Sequence, residues 1–414
     1  MKRVLMIAYH FPPLAGSSGI QRTLRFVQHL PALGWDPVVL TVRPEAYDRT
    51  GDDLSAEVPP NVHVERTFAL DAARQLSIAG RYPAFAARPD RWMSWRFSAV
   101  AAGMRLIRRF EPQVIWSTYP IATAHVIGRI LHRRSGLPWI ADFRDPMAQD
   151  GYPADPRLWR SFADIEERAV REAQFSVFTT PGAAREYRRR YPDAAQRIVV
   201  VENGFDEHSF AGLGAVGEHR PLNPNALTLL HSGVVYPSER DPTALFAALA
   251  RLATAGRILP GRFKVRFRAA AHDELLLTLT TQHHLESFIE VLPPVGYRDA
   301  LEEMVRADGL LMLQASNCNE QIPAKLYEYL RAGRPILALT DPVGDTAGVV
   351  RDAGLDSIAR LDSVDEIEDL LGRFVAADGN GRFGAPAGDY VAGASRAGRA
   401  GALRDLLNRS SSAP

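Results

Sequence analysis

Short apolar runs alternate with longer stretches of helical spacing along almost the whole chain. Runs at Val4–Ala8, Pro37–Val42, Val114–Ser117, Trp139–Phe143, Phe175–Thr180 and Ile198–Glu202 have strand length and a near-continuous apolar character, as expected for strands buried on both faces. Between them, Gln21–Leu33, Ser98–Arg109, Ile121–Arg134 and Phe162–Glu172 repeat apolar residues at helical spacing. This alternation predicts a parallel sheet with crossover helices. The pattern lapses over 206–226, DEHSFAGLGAVGEHRPLNPNA, which is rich in glycine, proline and asparagine and reads as a linker. A second series follows, with strands at Leu227–Ser232, Phe263–Arg268, Phe288–Leu292, Gly309–Leu313, Pro335–Leu339 and Ser357–Arg360. Its helices fall at Pro242–Ala253, Asp299–Arg306, Ala324–Ala332 and Val364–Phe374, and Tyr390–Asn408 reads as one closing helix. The predicted fold is α/β. A Rossmann-like domain covers 1–205, a linker 206–226, a second such domain 227–388, and a crossing helix and tail 389–414. Ligands of such sheets sit beyond the carboxyl ends of the strands, so motifs should lie just after strands.

A length of 414 residues agrees with two domains. Net charge is +1, which gives no ground for bulk nucleic-acid binding. Cys318 is the only cysteine, so no intrachain disulfide forms and a reducing cytoplasm fits. The opening MKRVLMIAYHFPP is too short in its apolar part for a signal peptide, and no apolar run reaches membrane-spanning length. Basic residues are almost all arginine. Lys2, Lys264 and Lys325 are the only three lysines, which singles out Lys325 inside a motif.

Five strand ends carry candidate chemistry. AYHFPPLAGSSGIQR (8–22) leads from a strand into a helix. Gly16 and Gly19 permit close backbone approach, the helix start attracts anions, and Arg22 adds charge. A flexible surface turn explains the same residues equally well. WIADFRDPM (139–147) places Asp142, Arg144 and Asp145 at a strand end, either for binding or as an internal ion pair. VENGFD (201–206) reads as ligand contact or as a plain exit turn. In LLHSGVVYPSERDP (229–242), Gly233 allows close approach and Arg240 can meet phosphate or pair on the surface. Finally, CNEQIPAKLYEYLRAGRP (318–335) holds Glu320 and Glu328 with seven residues between them. Pro323 suits a helix start and Gly333 its stop. The amides of Ile322 and of Ala324 through Leu326 should point outward, where a phosphate can sit between two carboxylates. Solvated helix glutamates are the plain alternative.

Taken in order, HFPPLAGSSGIQR, PDRW, STYPIATAH, GLPWIADFRDP, TTPG, ENGFD, HSGVVY and EQIPAKLYEYLRAGRPIL resemble the retaining GT-B glycosyltransferases. The likeness is to the family 4-like bacterial enzymes of cell-surface polysaccharide synthesis, including exopolysaccharides. It runs from Met1 to about Gly354. The resemblance implies two Rossmann-like domains facing across a cleft, with a C-terminal helix crossing back to the first. It also implies a nucleotide-sugar donor and a glycan or lipid-linked hydroxyl acceptor. Glu328 would bind the donor ribose and Glu320 the hydroxyls of the transferred sugar. Ile322, Pro323 and Lys325 would lie near sugar and diphosphate, and Gly296 near the base, while Gly16 and Gly19 would approach the diphosphate. Val234 stands where the family carries an arginine, and Glu239 and Arg240 stand where it carries a lysine. Arg144 occupies the place of a common histidine, making Arg144 and Asp145 the acceptor-side candidates.

No Asp-x-Asp occurs, so no metal is expected and no cofactor is implied. A pyridoxal-phosphate phosphorylase is disfavoured by the three lysines. The remaining alternatives are a GT-B nucleotide-sugar epimerase and a non-catalytic partner subunit. RWMSWRFSAVAAGMRLIRRF (91–110), with Trp92, Trp95, Arg105, Arg108 and Arg109 around an apolar stripe, suggests peripheral contact with the inner face of an anionic membrane. An ordinary crossover helix with an arginine face is the plainer explanation. A closing hinge is expected in 206–226, with the tail as second crossing.

Overall fold

The computed structural model describes residues 1–15, 19–52, 54–76, 87–213, 220–377 and 383–412. Two compact units emerge, Met1–Asn203 with Arg396–Pro414, and Gly204–Ser395.

The first unit is built on strands β1 (Lys2–Ile7), β2 (Trp35–Val42), β3 (His63–Thr67), β4 (Val114–Thr118), β5 (Trp139–Arg144), β6 (Phe175–Phe178) and β7 (Ile198–Val200). They form one sheet in the order β3-β2-β1-β4-β5-β6-β7. Neighbours run parallel, as in β1 against β2 and β4. Alternate residues go to opposite faces. In β1, Leu5 and Ile7 enter one apolar cluster with Trp95, Ile127 and Leu131, while Val4 and Met6 enter another with Phe26 and Trp116. Burial on both faces is why the strands read as unbroken apolar runs.

The second unit repeats the plan with β8 (Leu227–Ser232), β9 (Phe263–Arg268), β10 (Ile289–Leu292), β11 (Gly309–Leu313), β12 (Ile336–Leu339) and β13 (Ile358–Ala359). The order is β10-β9-β8-β11-β12-β13. Leu311, Leu313, Leu337 and Leu339 pack on one side; Leu310, Met312, Ile336 and Ala338 pack on the other.

Three departures from the sequence reading have physical causes. His63–Thr67, not anticipated, is an edge strand whose HVERT lacks an apolar run; it is only partly covered and pairs with β2 alone. The closing stretch is not one helix. It breaks at Ala394–Ser395 into Gly388–Gly393 and Arg396–Ser411. The break is held by the Phe205 amide donating to the Ala394 carbonyl at 3.3 Å and by a bridge between Phe205 and Ser395. Beyond it, Ala400, Leu403, Leu406 and Leu407 are buried against β1 and the helix Gly19–His29. Each fully buried leucine there contributes about 1.5–3 kcal/mol. Within 206–226, Phe210 and Leu213 are buried with Phe205 in the second unit's core.

In both sheets the strand order reverses at one point, between β1 and β4 in the first and between β8 and β11 in the second. Crevices beyond the carboxyl ends at such switch points are where open α/β sheets bind ligands.

Candidate functional site

At the switch point of the first unit, the expected cluster is largely self-neutralised. Arg22, at the start of the helix Gly19–His29, turns inward instead of presenting charge to a ligand. Its Nε and Nη2 donate to Asp142 at 2.8 and 2.9 Å. Nη2 also donates to the Val201 carbonyl at 2.9 Å, and Nη1 to that of Glu202 at 3.2 Å. Both side chains of this ion pair are buried, and Thr118 Oγ1 donates to the same carboxylate at 3.0 Å. Of the two readings of WIADFRDPM, Asp142 takes the internal ion pair.

Arg144 and Asp145 are different. The β5–β6 register shifts between Asp142 and Arg144, and Arg144 adopts φ 64°, a left-handed conformation uncommon outside glycine. Its Nη1 reaches the Tyr119 carbonyl at 3.3 Å, and its Nε has no acceptor among the described residues. Burial and the neighbouring Arg22 hold Arg144 below its ordinary pKa. Asp145 is accessible to solvent yet walled by protein. Desolvation raises its carboxyl above the usual range, with Arg144 and Arg22 pulling it down. Thr179 Oγ1 donates to the Arg144 carbonyl at 2.8 Å and braces this turn.

His10, just after β1, was not singled out from sequence. A Cβ on Gly19 would come 2.3 Å from His10 Nδ1 and 3.0 Å from Arg144 Nη1. Gly19 is therefore needed for close approach of these two side chains to the helix start. Burial, then Arg144, push the His10 pKa down to about 4, so the ring is neutral at pH 7. Its position directly beyond a strand was the available signal. Gly16 lies outside the described residues.

The second unit's switch point collects most of the remaining predicted residues. Gly233 follows β8 at φ 114°, and a Cβ there would lie 2.9 Å from Lys325 Nζ. Lys325 opens the helix Lys325–Ala332, whose stop is Gly333 at φ 68°. The Leu326 amide, expected to face outward, instead donates to the Pro323 carbonyl at 2.9 Å. The amides of Ile322, Ala324 and Lys325 have no acceptor among the described residues. Arg240 donates to the Val234 carbonyl at 2.6 Å and stacks over Tyr236. Among the described residues neither Lys325 nor Arg240 is in an ion pair. Burial and Arg240 push Lys325 down to about 7, against the pull of Glu328.

Glu320 is exposed just before this helix, and Glu328 is half-buried within it. The loop bearing Glu320 is braced by Gln314, which sequence reasoning missed. Its Nε2 donates to the carbonyls of Cys318 and Gln321 at 2.8 and 2.9 Å. Asn319 Nδ2 reaches Asp341 at 2.8 Å, and Thr346 Oγ1 reaches the Gln321 carbonyl at 3.1 Å. Glu328 Oε1 accepts from the Tyr297 hydroxyl at 2.8 Å. Gly296 precedes Tyr297, and Val295 and Tyr297 are both exposed apolar surface beside it. Cys318 is buried, and burial raises its thiol pKa.

A cavity of about 580 Å³ is lined by Asp241, Asp341, Asp362 and Arg360 and by none of Gly233, Glu320, Lys325 or Glu328. Three carboxylates against one guanidinium repel a diphosphate. A smaller cavity of about 60 Å³ is lined by Arg240, Gln314, Ile322 and Pro323, with Glu239 as its one carboxylate.

Residues 18–204 match the family model described as glycosyl transferase 4-like domain. The match falls almost entirely within the first unit, Met1–Asn203. No curated protein matches the chain. Solved structures match the whole chain almost end to end. A glycosyltransferase from Rickettsia africae is 11% identical, with coverage of 100% and 99% of the two chains and a TM-score of 0.64. Anabaena HepE in complex with UDP is 14% identical, covering 99% and 97%, with a TM-score of 0.60. A UDP-N-acetylglucosamine 2-epimerase fold from Listeria monocytogenes, 12% identical, covers 99% and 98% with a TM-score of 0.56. The chain has the GT-B fold, and the glycosyl transferase 4-like match lies in its first unit.

The helix Trp95–Phe110 of the first unit corrects one expectation. Trp95 is fully buried, donating from Nε1 to Thr67 Oγ1 at 2.9 Å, and Trp92 packs on Tyr9. Neither tryptophan faces outward. The exposed side carries Phe97, Arg105, Arg108 and Arg109, next to exposed Phe68. Among the described residues no helix is long and apolar enough to cross a membrane.

Proposed function

We propose that the protein transfers a sugar from a nucleotide-sugar to a hydroxyl of a glycan or lipid-linked acceptor, with retention, in envelope polysaccharide synthesis. One observation carries the reading. Lys325 Nζ stands over Gly233 just after β8, and the free amides of Ile322, Ala324 and Lys325 open the same helix, with Glu320 before it and Glu328 within it. Amides and a cation at a helix start suit a diphosphate, and the carboxylates suit sugar hydroxyls. Glu328, which accepts from the Tyr297 hydroxyl, is the carboxylate assigned to the ribose. Tyr297 and Val295 offer apolar surface for a base near Gly296. UDP in the similarly folded Anabaena protein supports a nucleotide donor.

In the proposed reaction the bond from the anomeric carbon to the leaving diphosphate breaks. The acceptor oxygen bonds to the same face, and its proton passes to the departing diphosphate. Lys325, Arg240 and the free amides stabilise the developing negative charge. No metal, other cofactor or protein nucleophile is invoked. In the first unit, neutral His10, Arg144 and Asp145 would receive the acceptor hydroxyl. The arginine face of Trp95–Phe110 would rest on anionic lipid, keeping the enzyme at the inner membrane surface.

Two variants test the donor assignment. Glu328→Ala should weaken nucleoside diphosphate binding by about 1.5–3 kcal/mol through lost hydrogen bonds to a charged acceptor. Glu320→Ala should bind it nearly normally and lose turnover. Equal loss of calorimetric affinity in both contradicts the assignment. Release of nucleoside diphosphate without an acceptor would favour the epimerase alternative.

A further inference from the structure

Lys325 reaches its place through a residue that neither motif spacing nor resemblance marks. His231 lies in β8, fully buried, with Nδ1 2.9 Å from the Leu311 carbonyl oxygen of β11. A carbonyl can only accept, so the ring proton sits on Nδ1 and Nε2 presents a lone pair. Lys325 Nζ stands 3.3 Å from that nitrogen, directly over Gly233. The other charged groups facing the ammonium are Arg240, from the loop after β8, and Glu328, from its own helix. Burial and Lys325 hold the imidazole well below its ordinary pKa, outweighing the carbonyls of Leu311 and Gly233. The lysine therefore rests on a neutral acceptor in place of a carboxylate. A carboxylate would fix its proton permanently and cancel its charge toward an anion.

We propose that His231 is a positioning residue that fixes the Lys325 amine over Gly233, so that a bound diphosphate takes up a proton onto Lys325. This rests on reading the second unit as the nucleotide-sugar site. An amine that titrates near 7 when empty is half charged there. A diphosphate favours the charged form, and affinity should fall about tenfold between pH 6 and pH 8 as the charged fraction declines.

With only Lys2, Lys264 and Lys325 present, ¹³Cε-lysine NMR of the full chain can follow this amine directly. UDP-glucose and GDP-mannose serve as probes, since their diphosphates do not titrate in this range. Wild type should show one lysine titrating near neutrality and the pH-dependent affinity, with proton uptake detected by calorimetry in buffers of different ionisation enthalpy. His231→Asn keeps a donor toward Leu311 but loses the Nε2 contact; it should move the lysine titration and weaken probe binding several-fold. His231→Gln, which restores an acceptor near Nε2, should recover most of both. Three ordinary lysine titrations in wild type would overturn the proposal. So would folded Asn and Gln variants that both behave as wild type. A lysine that titrates near 7 and shifts in the Asn variant, with neither probe bound, would support the positioning role and overturn the donor-site reading.

Discussion

The two switch points are built alike and charged differently. In the first unit, Arg22 is spent on Asp142, and Arg144 lies beside Asp145 and a backbone carbonyl. In the second, Lys325 leans on a neutral imidazole and Arg240 on a carbonyl, with free amides between. One crevice has its cations answered by carboxylates, which suits a neutral hydroxyl substrate. The other has cations and dipoles left open, which suits an anion. Twin topology thus separates two binding chemistries by where the carboxylates fall.

The largest expected effect breaks the neutralised side. Arg22→Met leaves Asp142 buried without its partner and should destabilise the protein by about 3–5 kcal/mol. Denaturant unfolding measures this, while nucleotide affinity of the folded fraction should be unchanged. A loss of affinity with normal stability would mean that Arg22 serves the ligand after all.

Next comes the open side. Lys325→Met should cost about ten- to a hundredfold in nucleotide-sugar affinity, the range for a charged hydrogen bond. It should also raise the melting temperature of the empty protein at pH 7. A lysine moved from 10.5 when unfolded to about 7 when folded burdens the fold fully below pH 7 and progressively less up to pH 10.5. The thermal advantage of the variant should therefore shrink as pH rises from 7 to 10. An advantage that grows with pH would contradict the sign.

The smallest effect concerns the arginine face of the first unit, which has no counterpart in the donor-site argument. Reversing Arg105 and Arg108 to glutamate should abolish flotation with anionic liposomes at low salt while leaving soluble-substrate turnover unchanged. Wild type that fails to float would remove membrane contact from the proposed function. Exposed charges are screened within about 10 Å at 0.1 M salt, so the effect should fade with salt.

Much of this architecture was legible from local pattern. Strands buried on both faces have to be apolar throughout, and crossover helices have to show a 3.6-residue period. Both sheets were therefore visible, except the half-exposed β3. Strand ends are where an α/β fold places chemistry, so Gly233, Glu320, Lys325, Glu328, Arg144 and Asp145 could be named from position and motif. What tertiary structure decided was pairing. Arg22 and Asp142 are 120 residues apart, and His231 and Lys325 are 94 apart. Nothing in the spacing of either pair indicates that the first cancels charge and the second preserves it. Burial decided the rest. Trp92 and Trp95 look like an interfacial belt in sequence and lie inward because β3 and Tyr9 need covering. The final stretch reads as one helix, yet breaks where Phe205 claims the Ala394 carbonyl. Periodicity specifies which face of an element is apolar, and only the packed fold specifies which groups that face meets.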